Sequence, residues 1–149
     1  MMILEDKDKF YIDTNILIYS TFSNCEFYLK CKEILEKPLG VYYISNQTIH
    51  EYFRVVTNPR IFKDCLNLEK AIENISFFFD WFKIAGNIPY GKDFLIIKMR
   101  EYKVSSEKIF DFAHYMIMIE NHIQNIITVN EKDFENFYGI NVINPLKKV

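Results

Sequence analysis

The chain has 149 residues, half of them hydrophobic, with 17% aromatic and 26% charged. This is enough apolar material for a sizeable core, so global disorder is excluded, and four Gly and four Pro exclude linker-rich or low-complexity readings. A net charge of −2 excludes a uniformly basic nucleic-acid-coating protein while leaving a local basic patch open.

No run of about 18 apolar residues occurs, so no transmembrane helix is expected. Met1 to Phe10 is acidic and basic by turns and has no apolar signal core, which predicts a cytoplasmic protein with no membrane partner. Cys25, Cys31 and Cys65 are an odd number without a CxxC pair. They predict reduced thiols rather than a disulfide framework or a zinc site.

Phe10 to Ile12 is a β-favouring run that ends at Asp13-Thr14-Asn15, and Ile16 to Tyr19 is too short to assign by period. Phe27, Cys31, Ile34 and Leu35 recur at helical spacing until Lys37-Pro38-Leu39-Gly40 stops the helix. Val41 to Ile44 predicts a second strand. Ser45-Asn46 offers an N-cap to a helix over Thr48 to Thr57, which ends at Asn58-Pro59. An amphipathic helix is expected from Asn67 to Lys83, then a weak strand over Ile84 to Ile88 and a helix over Asp93 to Tyr102. Ser105-Ser106-Glu107 reads as the start of a helix running to His122. Ile126 to Val129 predicts a strand, Asn130 to Phe137 a short helix or turn, and Ile140 to Ile143 a last strand closed by Pro145. Lys147-Lys148 reads as a solvated tail. Strands alternating with helices predict a single α/β domain over residues 1–149, three layers deep, with a mostly parallel sheet.

Four places carry candidate chemistry. Asp13 directly follows a strand, where ligands of open α/β sheets bind, and the same position suits an N-cap. Glu51 lies one turn into its helix, as a ligand or as a surface acid favoured by the helix dipole. Asp111 interrupts a helix that is apolar nearly all round, as a buried carboxylate that needs a partner or a metal or as an acid of the first turn partly exposed at the helix start. Asn130 and Asp133 follow another strand and suit either a site or a cap. Oxygen side chains gathered at one sheet edge form a hard anionic site suited to Mg²⁺ or Mn²⁺, whose natural chemistry is phosphodiester hydrolysis.

These residues resemble a known family. Tyr11-Ile12-Asp13-Thr14-Asn15-Ile16-Leu17 is similar to the opening signature of PIN-domain ribonucleases, and Ser45 to Arg60, with Glu51 as its acid, is similar to their second motif. Asp111 in its apolar helix resembles the third and Ile127 to Phe134 the fourth, so the likeness runs from Phe10 to Pro145. Size and layout are similar to VapC-type toxins of toxin–antitoxin pairs. The resemblance implies a five-stranded sheet in the order 3-2-1-4-5 and a Mg²⁺- or Mn²⁺-dependent endoribonuclease. Asp13, Glu51 and Asp111 would hold the metal, and Asn130 or Asp133 would complete the shell or orient water. An RNA substrate, a cognate antitoxin protein and a homodimer are implied with it. Many relatives carry an acid where this chain has Asn130.

Arg54, Arg60, Lys63, Lys92, Lys98, Arg100, Lys103 and Lys108 offer either a basic rim for phosphates or a solvated face. His114, three residues after Asp111, reads as a core histidine with a hydrogen-bond partner. The apolar segment Phe77 to Phe82 suits either an interface or a core helix. Two rival functions stay open: an inactive PIN-like module that binds RNA or a protein partner, and a DNA-directed metal nuclease.

Overall fold

The structure, a computed structural model, describes residues 8–87 and 89–147. The expectations for residues 1–7, for Ile88 and for Lys148 lie outside the described residues.

Five strands, Lys9–Ile12 (β1), Val41–Ser45 (β2), Lys83–Ala85 (β3), Asn125–Ile127 (β4) and Asn141–Ile143 (β5), form one sheet in the order β3-β2-β1-β4-β5. Every neighbouring pair is parallel. The connections carry Thr14–Tyr19 (α1), Tyr28–Glu36 (α2), Asn46–Val56 (α3), Leu68–Trp81 (α4), Lys92–Glu101 (α5) and Lys108–Glu120 (α6). The expected strand order is present, and the sheet is wholly rather than mostly parallel.

The two-residue period of the strands builds three layers. Phe10, Ile12, Tyr42, Ile44 and Ile127 face one way and pack with buried residues of α1 to α4. Tyr11, Ala85 and Ile126 face the other way and pack with Ile117 and Met118 of α6. Helix α5 is attached to α6 through Leu95 and Met99 against Phe112, Tyr115 and Met116. Ile12, Ile44, Ile126 and Ile127 are fully buried, each stabilising the fold by roughly 1.5–3 kcal/mol relative to exposure.

Side-chain caps explain three of the six helix starts described, those of α1, α3 and α4. Ser45 and Thr48 form a reciprocal capping box for α3, and Asn67 accepts from Lys70 N at the start of α4. Ile16 to Tyr19, unassigned by period, belongs to α1, with Asp13 as its N-cap. Strand β4 ends at Ile127, two residues before the expected end, because the Thr128 hydroxyl is bonded to Asp13 and the chain turns there. The Ser105-Ser106-Glu107 signal acts differently from expectation. Glu107 precedes α6 without a side-chain cap, Ser106 has φ of 40°, and backbone turns such as Lys108 N to Ser105 O at 2.9 Å start the helix. Asn130 to Phe137 contains only a 3-10 turn, Glu131–Asp133, and Asn130 makes no side-chain cap bond.

Helix α6 is not buried along its whole length. Phe112 and His114 to Met118 are buried, whereas Ile109 and Phe110 are exposed in the first turn with Asp111 half-buried beside them. Cys25, Cys31 and Cys65 are free thiols. Among the described residues no helix is long and apolar enough to cross a membrane.

Candidate active site

The register of β1 against β4 sets the site. Ile12 pairs with Ile127, and Asp13 N donates to Ile127 O at 3.0 Å, so Asp13 emerges where the strand order reverses. Its carboxylate is buried and accepts from Thr14 N at 2.7 Å, Thr128 Oγ1 at 2.7 Å and Asn15 Nδ2 at 3.2 Å. Asp13 therefore both caps α1 and faces the cleft. Burial pushes its pKa up, opposed by the nearby His114 and by the Thr128 and Thr14 hydrogen bonds.

Glu51 projects from α3 and is held by three donors. Gln47 Nε2 donates to Oε1 at 2.9 Å, while Thr14 Oγ1 at 2.8 Å and His114 Nε2 at 2.9 Å meet Oε2. It is half-buried rather than a free surface charge. Burial alone would raise its pKa, but His114, then Gln47 and Thr14, hold it below the ordinary carboxylate range. His114 is buried as expected, and its partner is this site acid.

Asp111 sits in the first turn of α6, a position where the helix dipole favours an acid. Burial, reinforced by the charges of Asp133 and Asp13, nevertheless pushes its pKa up to about 7. Asn130 and Asp133 are exposed on the loop after β4, and Asn130 N donates to Thr128 Oγ1 at 3.0 Å.

All five candidate residues line one open cleft of about 300 Å³, together with Thr14, Asn15, Arg54 and His114. Asp111 and Asp133 also line a smaller neighbouring pocket with Lys108 and Lys132. Of the eight cations expected at a rim, Arg54 and Lys108 line these two pockets. Lys98 is engaged with Glu101 at 3.1 Å instead. Thr14, Asn15 and Thr128 lay in the quoted motifs without an assigned role. Their short hydroxyl and amide side chains, flanking Asp13 or ending a strand, are the signal that points to them.

No protein-family profile matches the chain. It is 27% identical over 139 residues to the ribonuclease VapC48 of two strains of Mycobacterium tuberculosis, covering 89% of this chain and 94% of each relative. The fold is shared with VapBC2 from Rickettsia felis, solved bound to a DNA fragment from its promoter, at a TM-score of 0.59 and 17% identity. That match covers 91% of this chain and 98% of the other. The chain is distantly similar to VapC-type ribonucleases and shares the fold of VapC-type proteins. A further VapC-type fold match is Mycobacterium tuberculosis VapC20, a sarcin–ricin loop cleaving toxin, at a TM-score of 0.56 and 15% identity, covering 78% and 86%.

VapC-type proteins imply a divalent cation, and the chemistry of this cleft fits one. Its donors are hard oxygens, and Asp111, raised first by burial and then by repulsion from Asp133 and Asp13, is a carboxylate whose charge a bound cation would offset. Among the described residues, though, no three His, Cys, Asp or Glu side chains stand as a ready chelating group. The Glu51 carboxylate is occupied by protein donors, so a cation there would need to draw on lone pairs that those bonds leave free.

Proposed function

We propose that this chain is a Mg²⁺- or Mn²⁺-dependent endoribonuclease, one PIN-like domain over residues 1–149, acting in the cytoplasm as the toxin of a type II toxin–antitoxin pair. The observation that carries the reading is one cleft lined by Asp13, Glu51, Asp111 and Asp133, with the Asp111 carboxyl pushed up to about 7. Asp13, Glu51 and Asp111 would hold the metal. The cation supplies charge shielding at the phosphate and a more acidic water. Arg54, on the cleft wall, binds a flanking phosphate and sets the position of the strand without reading bases. Asn130 and Asp133 orient the attacking water, the Asp133 carboxylate accepting its proton.

The solved VapBC2 relative supports a cognate antitoxin partner. Helix α4 supports protein contacts as well, because Phe77, Phe79 and Trp81 are each 52% exposed. A homodimer is part of the proposal, and light scattering of the purified chain tests it against a monomer mass.

A second reading, an inactive PIN-like module, draws on Asn130 in place of an acid. Wild type and Asp111→Asn, incubated with total RNA and with matched DNA in Mn²⁺ or EDTA, separate the two. New discrete RNA ends that require both Mn²⁺ and Asp111 are the expected result. Folded wild-type protein, free of antitoxin, that yields no new ends moves the reading to the binding module, and DNA cleavage alone moves it to a DNA nuclease.

A further inference from the structure

Two buried rings, Tyr11 behind the acidic cleft and His114 in its wall, have no assigned role in the proposed chemistry. His114 is 2% exposed and bonded at both ring nitrogens. Nε2 lies 2.9 Å from Glu51 Oε2, and Nδ1 lies 2.6 Å from the Tyr11 hydroxyl. That hydroxyl also lies 2.7 Å from Ser45 Oγ and 3.2 Å from Thr48 Oγ1. Ser45 and Thr48 are the capping box of α3, the helix that bears Glu51. The contacts therefore close a ring through three elements, from β1 to α6, from α6 to Glu51, and from the start of α3 back to β1.

The direction of the bonds is constrained. Glu51 as a carboxylate only accepts, so His114 Nε2–H donates to it. With a neutral ring, Nδ1 accepts from Tyr11 O–H, while the serine and threonine hydroxyls donate to the phenol oxygen. With a charged ring, Nδ1–H donates to the phenol oxygen instead. Either way Nε2 is a donor to Glu51, and the phenol fixes the plane of the ring. A Glu side chain has three rotatable bonds, and freezing it opposes substantial rotamer entropy. The rigid rings supply that constraint, Tyr11 from inside the core and His114 from the wall of the cleft.

We propose that Tyr11 and His114 form a positioning relay that keeps the Glu51 carboxylate aimed at the cleft, so that divalent-cation affinity and turnover depend on a phenol hydroxyl two bonds removed from the acid. This rests on the cleft being a metal-dependent nuclease site. The relay is a positioning device: both rings are buried, and Tyr11 acts only through groups bonded to it.

The test uses the full-length protein as Tyr11→Phe, His114→Leu, His114→Gln and the double variant Tyr11→Phe/His114→Leu. Three readouts are taken: Mn²⁺ affinity by calorimetry without RNA, kcat and KM on RNA, and urea denaturation. Tyr11→Phe is expected to remain folded, to weaken Mn²⁺ binding about 3- to 10-fold, and to lower kcat while leaving KM for RNA unchanged. His114→Leu is expected to weaken Mn²⁺ binding about 10- to 100-fold. The double variant should lose less than the product of the two, since both act on one carboxylate. His114→Gln, which keeps an N–H donor, should recover part of the affinity.

The relay is overturned if Tyr11→Phe and His114→Gln lose stability yet bind Mn²⁺ and turn over as wild type does. It is overturned equally if the two single losses multiply in full. Asp111→Asn serves as the separating control. If wild type binds Mn²⁺ and cleaves, Asp111→Asn does neither, and the ring variants match wild type, the relay alone falls. If wild type neither binds Mn²⁺ nor cleaves RNA, the nuclease reading falls and the relay with it.

Discussion

Asp13 and Thr128 are 115 positions apart in the chain, and Thr128 Oγ1 donates to Asp13 Oδ2 at 2.7 Å. The bond joins the ends of two adjacent parallel strands at the point where the sheet order reverses. The threonine hydroxyl also accepts from Asn15 Nδ2 at 3.1 Å and from Asn130 N at 3.0 Å. One hydroxyl thus holds the acid of β1, the asparagine of α1 and the loop after β4 in fixed relation. The acidic cleft is built on that hub.

Thr128→Val should therefore destabilise the chain by about 1–2 kcal/mol, because a buried carboxylate loses a donor and two neighbouring N–H groups lose their acceptor. Thr128→Ser keeps the hydroxyl and should lose much less. Urea denaturation with an unchanged m-value checks this. A Val variant as stable as wild type would show that Thr14 N and Asn15 satisfy Asp13 unaided.

The surroundings of the cleft's ionisable groups set a definite pH dependence. Asp111 moves from an ordinary value of 3.8 to about 7 in the folded chain, so between those values the folded state binds more protons than the unfolded state. Stability of the metal-free chain falls as pH rises through that window. His114 is also raised, so its contribution is present below its unfolded value and is lost as pH rises through its folded pKa. Glu51 is lowered and acts in the opposite sense, its contribution being lost only as pH falls through its folded value in the acid range. Thermal melts in EDTA should show a lower Tm at about pH 7.5 than at about pH 5.5. Asp111→Asn should flatten that slope, and Mg²⁺ should raise Tm more at the higher pH. A slope identical in the variant would assign the effect to His114 and Asp13, both of which are also raised in the folded chain.

The sheet was legible in the sequence because its strands are short apolar runs bounded by turn residues, and the resemblance supplied their order. Strand and helix ends were less legible where tertiary bonds decide them. Thr128 is a good strand residue by composition, yet its bond to Asp13 ends β4 before Val129. Asp111 was read as either a buried carboxylate or a partly exposed acid of the first turn, and it is half-buried there, because Ile109 and Phe110 face solvent at the start of α6. Asp13 was read as either cap or site acid, and its two oxygens allow both. The tie of Glu51 to His114 joins residues 63 apart and leaves no local pattern; only the spacing of His114 after Asp111 hinted at it.

Gly40, just before β2, is required by proximity rather than by its backbone angles. A Cβ there would meet the carbonyl oxygen of Asp8, and at 2.8 Å the ring of Phe10, on the neighbouring strand. Since Lys9 pairs with Val41, the clash would push the β1–β2 ladder apart at its start. Gly40→Ala is expected to cost about 1–3 kcal/mol of stability, the usual range for overpacking. Chemical denaturation reads this directly, and a neutral result would mean that the segment before β1 shifts at little cost.

Asn130 gives the sharpest test of charge in the cleft. Its side chain is exposed, makes no cap bond, and lies in the cleft with Asp13, Asp111 and Asp133. Replacing it by aspartate adds an acid to a cluster that reinforces the effect of burial in pushing Asp111 up to about 7. Without metal, Asn130→Asp should raise the Asp111 pKa further and lower Tm at neutral pH, since like charges oppose one another. With Mn²⁺ the same charge becomes a potential hard ligand, and affinity should rise roughly 3- to 10-fold, on the order of 1 kcal/mol. Calorimetry and melts on one preparation measure both. Opposite signs in the two measurements identify the cleft as a cation site. A loss of stability with no gain in Mn²⁺ affinity would place any bound cation away from Asn130.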